Sequence, residues 1–272
     1  MRNFRKHGNA PCRIAVIHGG PGAPGSVAAV AEELAESWGV LEPYQTADSL
    51  EGQVAELRDT LMTQAVLPVV LIGWSWGAML SVIVAARYPT LVRKLILVSS
   101  GVYEARYAAE ILPTRLARLS DAEQQEITAL MNGRDDLGEG ERDAALARVG
   151  KMFKTRSDAY DPLPDEHEGA FPVRHDIHER VWAEAEALRH SGELVAMARA
   201  IRCPVVALHG DYDPHPVEGV REPLARVVRD FRLIVIEKCG HYPWLERQAR
   251  DTFFAVLRRE LGEQVLDPAE RE

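Results

Sequence analysis

Short apolar runs alternate with amphipathic stretches along the first hundred residues. Residues 13–18, 40–44, 68–73 and 92–98 are too short for helices and rich in Val, Ile and Leu. Such runs predict strands buried on both faces. Between them, residues 27–38 have helical spacing. Residues 48–64 place Leu50, Val54, Leu57 and Leu61 on one face, with Asp48 or Ser49 as the N-cap. Residues 78–88 are apolar and rich in small side chains, and Pro89 follows where a third helix should end. Strands and helices in alternation predict a parallel sheet with right-handed crossovers.

The rhythm breaks at Ser99-Ser100-Gly101, and no strand-like run follows until about residue 200. Ser120-Asp121-Ala122-Glu123 is a capping-box pattern. Helices are expected at 121–131, 139–153 and 177–190, with a Pro-, Gly- and acid-rich loop at 158–175 between the last two. Strands resume at 204–210 and 232–237. Helices are expected at 216–228 and 246–261, and the last residues should fray. The expected architecture is a mostly parallel sheet flanked by helices. Residues 1–100 and 201–272 form the α/β core, and 101–200 form a helical insertion over the edge of the sheet.

Composition narrows the function. A chain of 272 residues with 46% hydrophobic content can bury a large core. A net charge of −9 leaves no basic excess to meet phosphates or an anionic membrane surface, so neither partner is expected. Residues 101–200 carry 20 acidic and 13 basic side chains, so most of the negative charge lies there. Solvated helix faces account for it, with an acidic funnel for a cationic substrate as the second reading. Residues 65–86 carry no charge and are long enough to span a bilayer, but Pro68, Gly73, Ser75 and Gly77 interrupt them. A buried strand feeding a buried helix gives the same profile. The basic start of the chain lacks the apolar length of a signal segment, and three scattered cysteines, Cys12, Cys203 and Cys239, form no disulfide framework. A cytoplasmic protein is expected.

The chemistry centres on Gly73-Trp74-Ser75-Trp76-Gly77, a G-x-S-x-G sequence between an expected strand and an expected helix. A serine on so sharp a turn needs neighbours without side chains where the backbone folds closest. Its hydroxyl then stands above the strand ends, beside the unpaired N–H groups of a helix start. Such a nucleophile needs a base, an orienting acid and oxyanion donors. The base is His241, in Gly240-His241-Tyr242-Pro243 after the last strand. The acid is Asp213, with Asp211 second, in His209-Gly210-Asp211-Tyr212-Asp213-Pro214. The donors are the backbone N–H groups of Trp76 and of Gly20, from His18-Gly19-Gly20-Pro21-Gly22. Gly19, Trp74 and Tyr242 are candidates for the substrate pocket. A metal reading would instead use His209, Asp211, Asp213 and His215, but leaves the serine turn unexplained. No cofactor is called for, and no phosphate-binding glycine motif is present.

These motifs together resemble the α/β-hydrolase superfamily, in the order Ser75, Asp213, His241 and over nearly the whole chain. The resemblance implies a helical cap at 101–200, after the strand that follows the nucleophile helix, and hydrolysis through an acyl-enzyme. Within the superfamily, His18–Gly22 and Gly73–Gly77 look like the proline iminopeptidases, which remove an N-terminal proline from peptides. On that analogy acidic cap residues would hold the substrate amine. The ending Cys239-Gly240-His241-Tyr242-Pro243-Trp244-Leu245-Glu246 is more similar to general esterases of the fold. A small ester or a short peptide is the implied substrate. A non-catalytic binding protein on the same scaffold is the alternative of another class.

Overall fold

The computed structural model describes residues 3–133, 137–167 and 174–265. A seven-stranded sheet runs in the order β1-β3-β2-β4-β5-β6-β7. Its strands are β1 (Phe4–His7), β2 (Cys12–Ile17), β3 (Gly39–Pro43), β4 (Val69–Trp74), β5 (Val92–Val98), β6 (Val205–Gly210) and β7 (Phe231–Ile236). Only β1 is antiparallel, paired to β3 at the sheet's edge. The six strands expected from the apolar runs are all present. β1 was not among them, because Phe4-Arg5-Lys6-His7 has one apolar residue and an edge strand needs no apolar face.

Helices α1 (Ala28–Ala35), α2 (Leu50–Gln64), α3 (Trp76–Arg87), α9 (Glu218–Ala225) and α10 (Arg250–Val265) flank the sheet. Between β5 and β6 lie α4 (Ala105–Ala117), α5 (Asp121–Asn132), α6 (Glu139–Met152), α7 (His175–Ser191) and α8 (Glu193–Ala198). The patterns missed α4 and α8. Pro113 lies inside α4 and only Tyr107 of it is buried, so no apolar stripe marks the helix. α8 has only six residues. The expected closing helix starts late, because a single 3₁₀ turn, Pro243–Leu245, precedes it. The capping box of Ser120 and Glu123 forms as expected, and Ser49 caps α2. Residues 168–173 of the expected acidic loop, and the terminal residues 266–272 expected to fray, lie outside the described residues.

One apolar core packs α2, α3, α7, α8 and α9 on one face of the sheet, through residues such as Leu57, Leu61, Val82, Val181 and Leu224. The other packs α1 and α10, through Leu34, Phe253 and Leu257. Every residue of α3 from Trp76 to Ala86 is buried. That accounts for the uncharged stretch: a fully buried strand runs directly into a fully buried helix. Among the described residues, no helix is long and apolar enough to cross a membrane.

Candidate active site

Residue Ser75 sits between the last residue of β4 and the first of α3, at φ 54°, ψ −116°. A non-glycine residue at positive φ stores strain of about 1–3 kcal/mol, and the surrounding chain has to hold it there. The holding is tight. A Cβ on Gly73 would lie 2.3 Å from the carbonyl oxygen of Gly77, and one on Gly77 would lie 2.4 Å from those of Ile17 and His18. The Ser75 N–H donates to Val98 O at 3.0 Å. The side chain remains partly exposed, at the mouth of the parallel strands.

The loops after β6 and β7 bring two further groups to it. His241 Nε2 lies 3.0 Å from Ser75 Oγ, and His241 Nδ1 lies 2.8 Å from Asp213 Oδ2. Asp213 and His241 are both buried. The other carboxylate oxygen of Asp213 accepts the backbone N–H of His215 at 2.9 Å and meets its ring Nδ1 at 2.7 Å. Burial pushes the Asp213 carboxyl up, but the attraction of His241, His215 and His209 outweighs it and holds the group well below the usual carboxylate range. Burial pushes His215 down to about 4, against the pull of Asp213. At neutral pH the pair is therefore an ionised Asp213 beside a neutral His215.

Asp211, the rival acid, is exposed and turned away, its Oδ1 accepting the Cys239 N–H at 3.1 Å. It braces the neighbouring loop instead of reaching the imidazole. The alternating set His209, Asp211, Asp213, His215 therefore does not face one way. The described groups that do converge are Asp213, His215 and His241, with ligand-type atoms within 4.8 Å of one another. Those atoms are engaged with one another in the hydrogen bonds just given.

Sequence reasoning missed the residues that hold the His241 loop, most of which come from the segment between β5 and β6. The His241 N–H donates to Asp158 O at 2.7 Å, and the Asp158 carboxylate takes a two-pronged ion pair from Arg115 at 2.9 and 2.6 Å. Arg118 donates to Ser157 O at 2.7 Å and to Tyr212 O at 2.8 Å, tying the same segment to the Asp213 loop. Buried Glu246 accepts three backbone N–H groups, those of Gly240 at 2.8 Å, Tyr160 at 2.9 Å and Asp161 at 2.8 Å. Its sequence signal was slight: one acid in an otherwise apolar ending.

The glycine loop approaches from β2. His18 is fully buried, and burial lowers its pKa, so the ring is neutral. The Gln45 N–H donates to His18 Nε2 at 3.1 Å, which makes Nε2 an acceptor and leaves the proton on Nδ1. Nδ1–H then donates to Gly19 O at 2.7 Å. The carbonyl of Gly19 and the N–H of Gly20 belong to one planar peptide and point opposite ways. His18 thus fixes the direction of the Gly20 N–H. The Trp76 N–H, in the first turn of α3, has no i−4 partner.

Gly19 and Trp74 are packed against each other: a Cβ on Gly19 would meet the Trp74 ring at 2.4 Å, and Trp74 is buried. Trp74 Nε1 donates to His241 O at 2.8 Å, so the indole supports the imidazole's backbone. Tyr242 packs on Trp74 with ring centroids 4.8 Å apart and lines a cavity of about 100 Å³ with Lys154, Pro162, Asp165 and Leu245. That cavity adjoins His241 through Tyr242 and does not include Ser75. On the opposite side α7 meets the glycine loop. Arg174 N–H donates to Gly22 O at 2.9 Å, His178 Nδ1 lies 3.3 Å from Pro21 O, and the Trp182 ring meets Trp76 edge-on at 6.2 Å.

No curated protein matches this chain in sequence. Solved structures do match in fold. VinJ superposes with a TM-score of 0.67 at 20% identity, covering 96% of this chain and 94% of its own. The proline iminopeptidase of Mycobacterium smegmatis gives 0.62 at 18% identity, covering 96% and 94%. A thermophilic esterase from Thermogutta terrifontis gives 0.58 at 19%, covering 96% and 92%. A family model for alpha/beta hydrolases matches residues 7–256, and the chain belongs to the alpha/beta hydrolase family.

Proposed function

We infer that the chain is a cofactor-independent serine hydrolase acting on a small ester or amide. Ser75 Oγ attacks the carbonyl while His241 Nε2 takes its proton, and Asp213 holds the imidazole with Nδ1–H toward it. The N–H groups of Trp76 and Gly20 receive the oxyanion. His241 returns the proton to the leaving group, then activates the water that releases the acyl group. The observation that carries this reading is the hydrogen-bonded chain Ser75–His241–Asp213, at 3.0 and 2.8 Å, ending in an ionised carboxylate. Helices α4–α8 act as the cap that closes over the substrate, supported by the contacts of α7 with the glycine loop. The three unpaired cysteines support a reducing compartment, the cytoplasm.

The ester reading has the support of the ending Cys239–Glu246, which is similar to general esterases of the fold, and of an esterase among the structural neighbours. The aminopeptidase reading keeps the support of the glycine-loop motif and of one structural neighbour.

A fluorophosphonate probe should label the wild type and leave Ser75→Ala unlabelled, with esterase kcat lower by about 10⁶-fold in the variant. Equal labelling of both would remove Ser75 from its role. Short-chain acyl esters should turn over faster than prolyl-anilide, and a strong prolyl preference would restore the aminopeptidase. No turnover of any activated ester or anilide, with tight binding of a small ligand, would favour the binding protein.

A further inference from the structure

The mechanism above leaves unused a buried imidazole that touches Asp213. His215 lies two residues past Asp213 and is buried. Its ring stacks on that of His241 at a centroid distance of 4.4 Å and an interplanar angle of 23°. Both of its N–H groups are directed at one atom, Asp213 Oδ1, from the backbone at 2.9 Å and from Nδ1 at 2.7 Å. A neutral imidazole facing an ionised carboxylate must carry its proton on the facing nitrogen, so Nδ1 donates. The loop is fixed from behind: His209 Nε2–H donates to His215 O at 2.8 Å.

The arrangement solves a specific problem. Asp213 is shielded from water and would be costly to keep ionised with only the His241 Nδ1–H for company. Two dipoles from His215 satisfy Oδ1 and leave Oδ2 to His241. A cation in that place would satisfy the carboxylate as well, but would compete with the imidazolium that forms when Ser75 loses its proton. The charged and titratable groups facing His215 are Asp213 and His209 from β6 and its loop, His241 from the loop after β7, and Arg115 from α4. Burial together with the like-signed neighbours keeps the ring neutral.

We propose that His215 is a positioning residue of this site, which orients Asp213 and keeps it ionised by donating Nδ1–H to its Oδ1 oxygen. The proposal rests on the acyl-transfer role of Ser75. It predicts a split between two substitutions. His215→Phe keeps a stacking ring and loses the donor. It should lower kcat by about 10- to 100-fold, as loss of partners that orient a reacting group does elsewhere, with KM within about twofold. The acid limb of its kcat/KM profile should move to higher pH, because less of the carboxylate's charge is then tied up away from the imidazolium. His215→Asn places an amide N–H near the Nδ1 position and should recover most of kcat and the wild-type profile. The downfield proton resonance of the His241–Asp213 hydrogen bond should survive in His215→Asn and shift or vanish in His215→Phe. If the Phe variant does not fold by circular dichroism, His215→Leu against His215→Asn carries the same comparison.

Wild-type kcat and pH profile in His215→Phe, or an Asn variant no better than the Phe variant, would overturn the proposal while the wild type remained active and probe-labelled. A wild type that neither hydrolyses esters nor takes up the probe would overturn the acyl-transfer reading, and this one with it.

Discussion

Ser75 and His241 meet at 3.0 Å, across a sequence separation of 166, yet different kinds of structure hold them there. Ser75 is held by its neighbours in the chain. Gly73 and Gly77 let β4 and the start of α3 fold onto each other and onto the end of β2, and the strained backbone follows from that contact. His241 is held by distant segments. Its N–H, its carbonyl and its ring are engaged by Asp158, Trp74, Asp213 and His215, and the residue before it by Glu246. The placing of Ser75 is a product of local geometry, whereas that of His241 is a product of tertiary structure. The segment between β5 and β6 supplies the carbonyl and the ion pair that hold the His241 loop.

This contrast can be broken at its strongest point. Gly77→Ala puts a Cβ 2.4 Å from two carbonyl oxygens that belong to the sheet's centre and cannot move independently. A cost above about 4 kcal/mol is expected, read as loss of the cooperative thermal transition or of soluble protein. A variant that melts like the wild type would show that the turn is looser than its contacts imply.

The base side is tested by Asp158→Ala. It strips Arg115, which burial opposes and Asp158 sustains as a cation, of both of its bonds. Destabilisation of about 3 kcal/mol is expected, the low end for breaking a buried pair, because the guanidinium keeps some exposure. kcat should fall as well, since the segment that accepts the His241 N–H loses its anchor. An unchanged kcat with a lowered melting temperature would separate the insertion's structural job from the positioning of the base.

The smallest effect belongs to a locally built part of the insertion. Ser120→Ala removes the cap of α5 and should cost about 1 kcal/mol, with esterase kcat and KM unchanged. A fall in kcat would mean that α5 is coupled to the site after all.

Read from the chain alone, the sheet, the serine turn and the order serine, acid, histidine were legible. Each leaves a pattern among residues a few positions apart: apolar runs of strand length, two glycines flanking a serine, a histidine just past a strand. β1 and α4 were not legible, because an edge strand and a helix with one buried residue leave no apolar period to detect. Asp213 was the acid read from the chain, ahead of Asp211 in the same turn, and the structure brings it to the imidazole. Tertiary structure alone set Trp74 Nε1 on the carbonyl of His241 and brought Arg115, Asp158, His215 and Glu246 around that histidine. The physical reason is common to all of them. A buried polar group is placed by whichever partner satisfies it, and that partner can be a hundred residues away, where no local pattern records it.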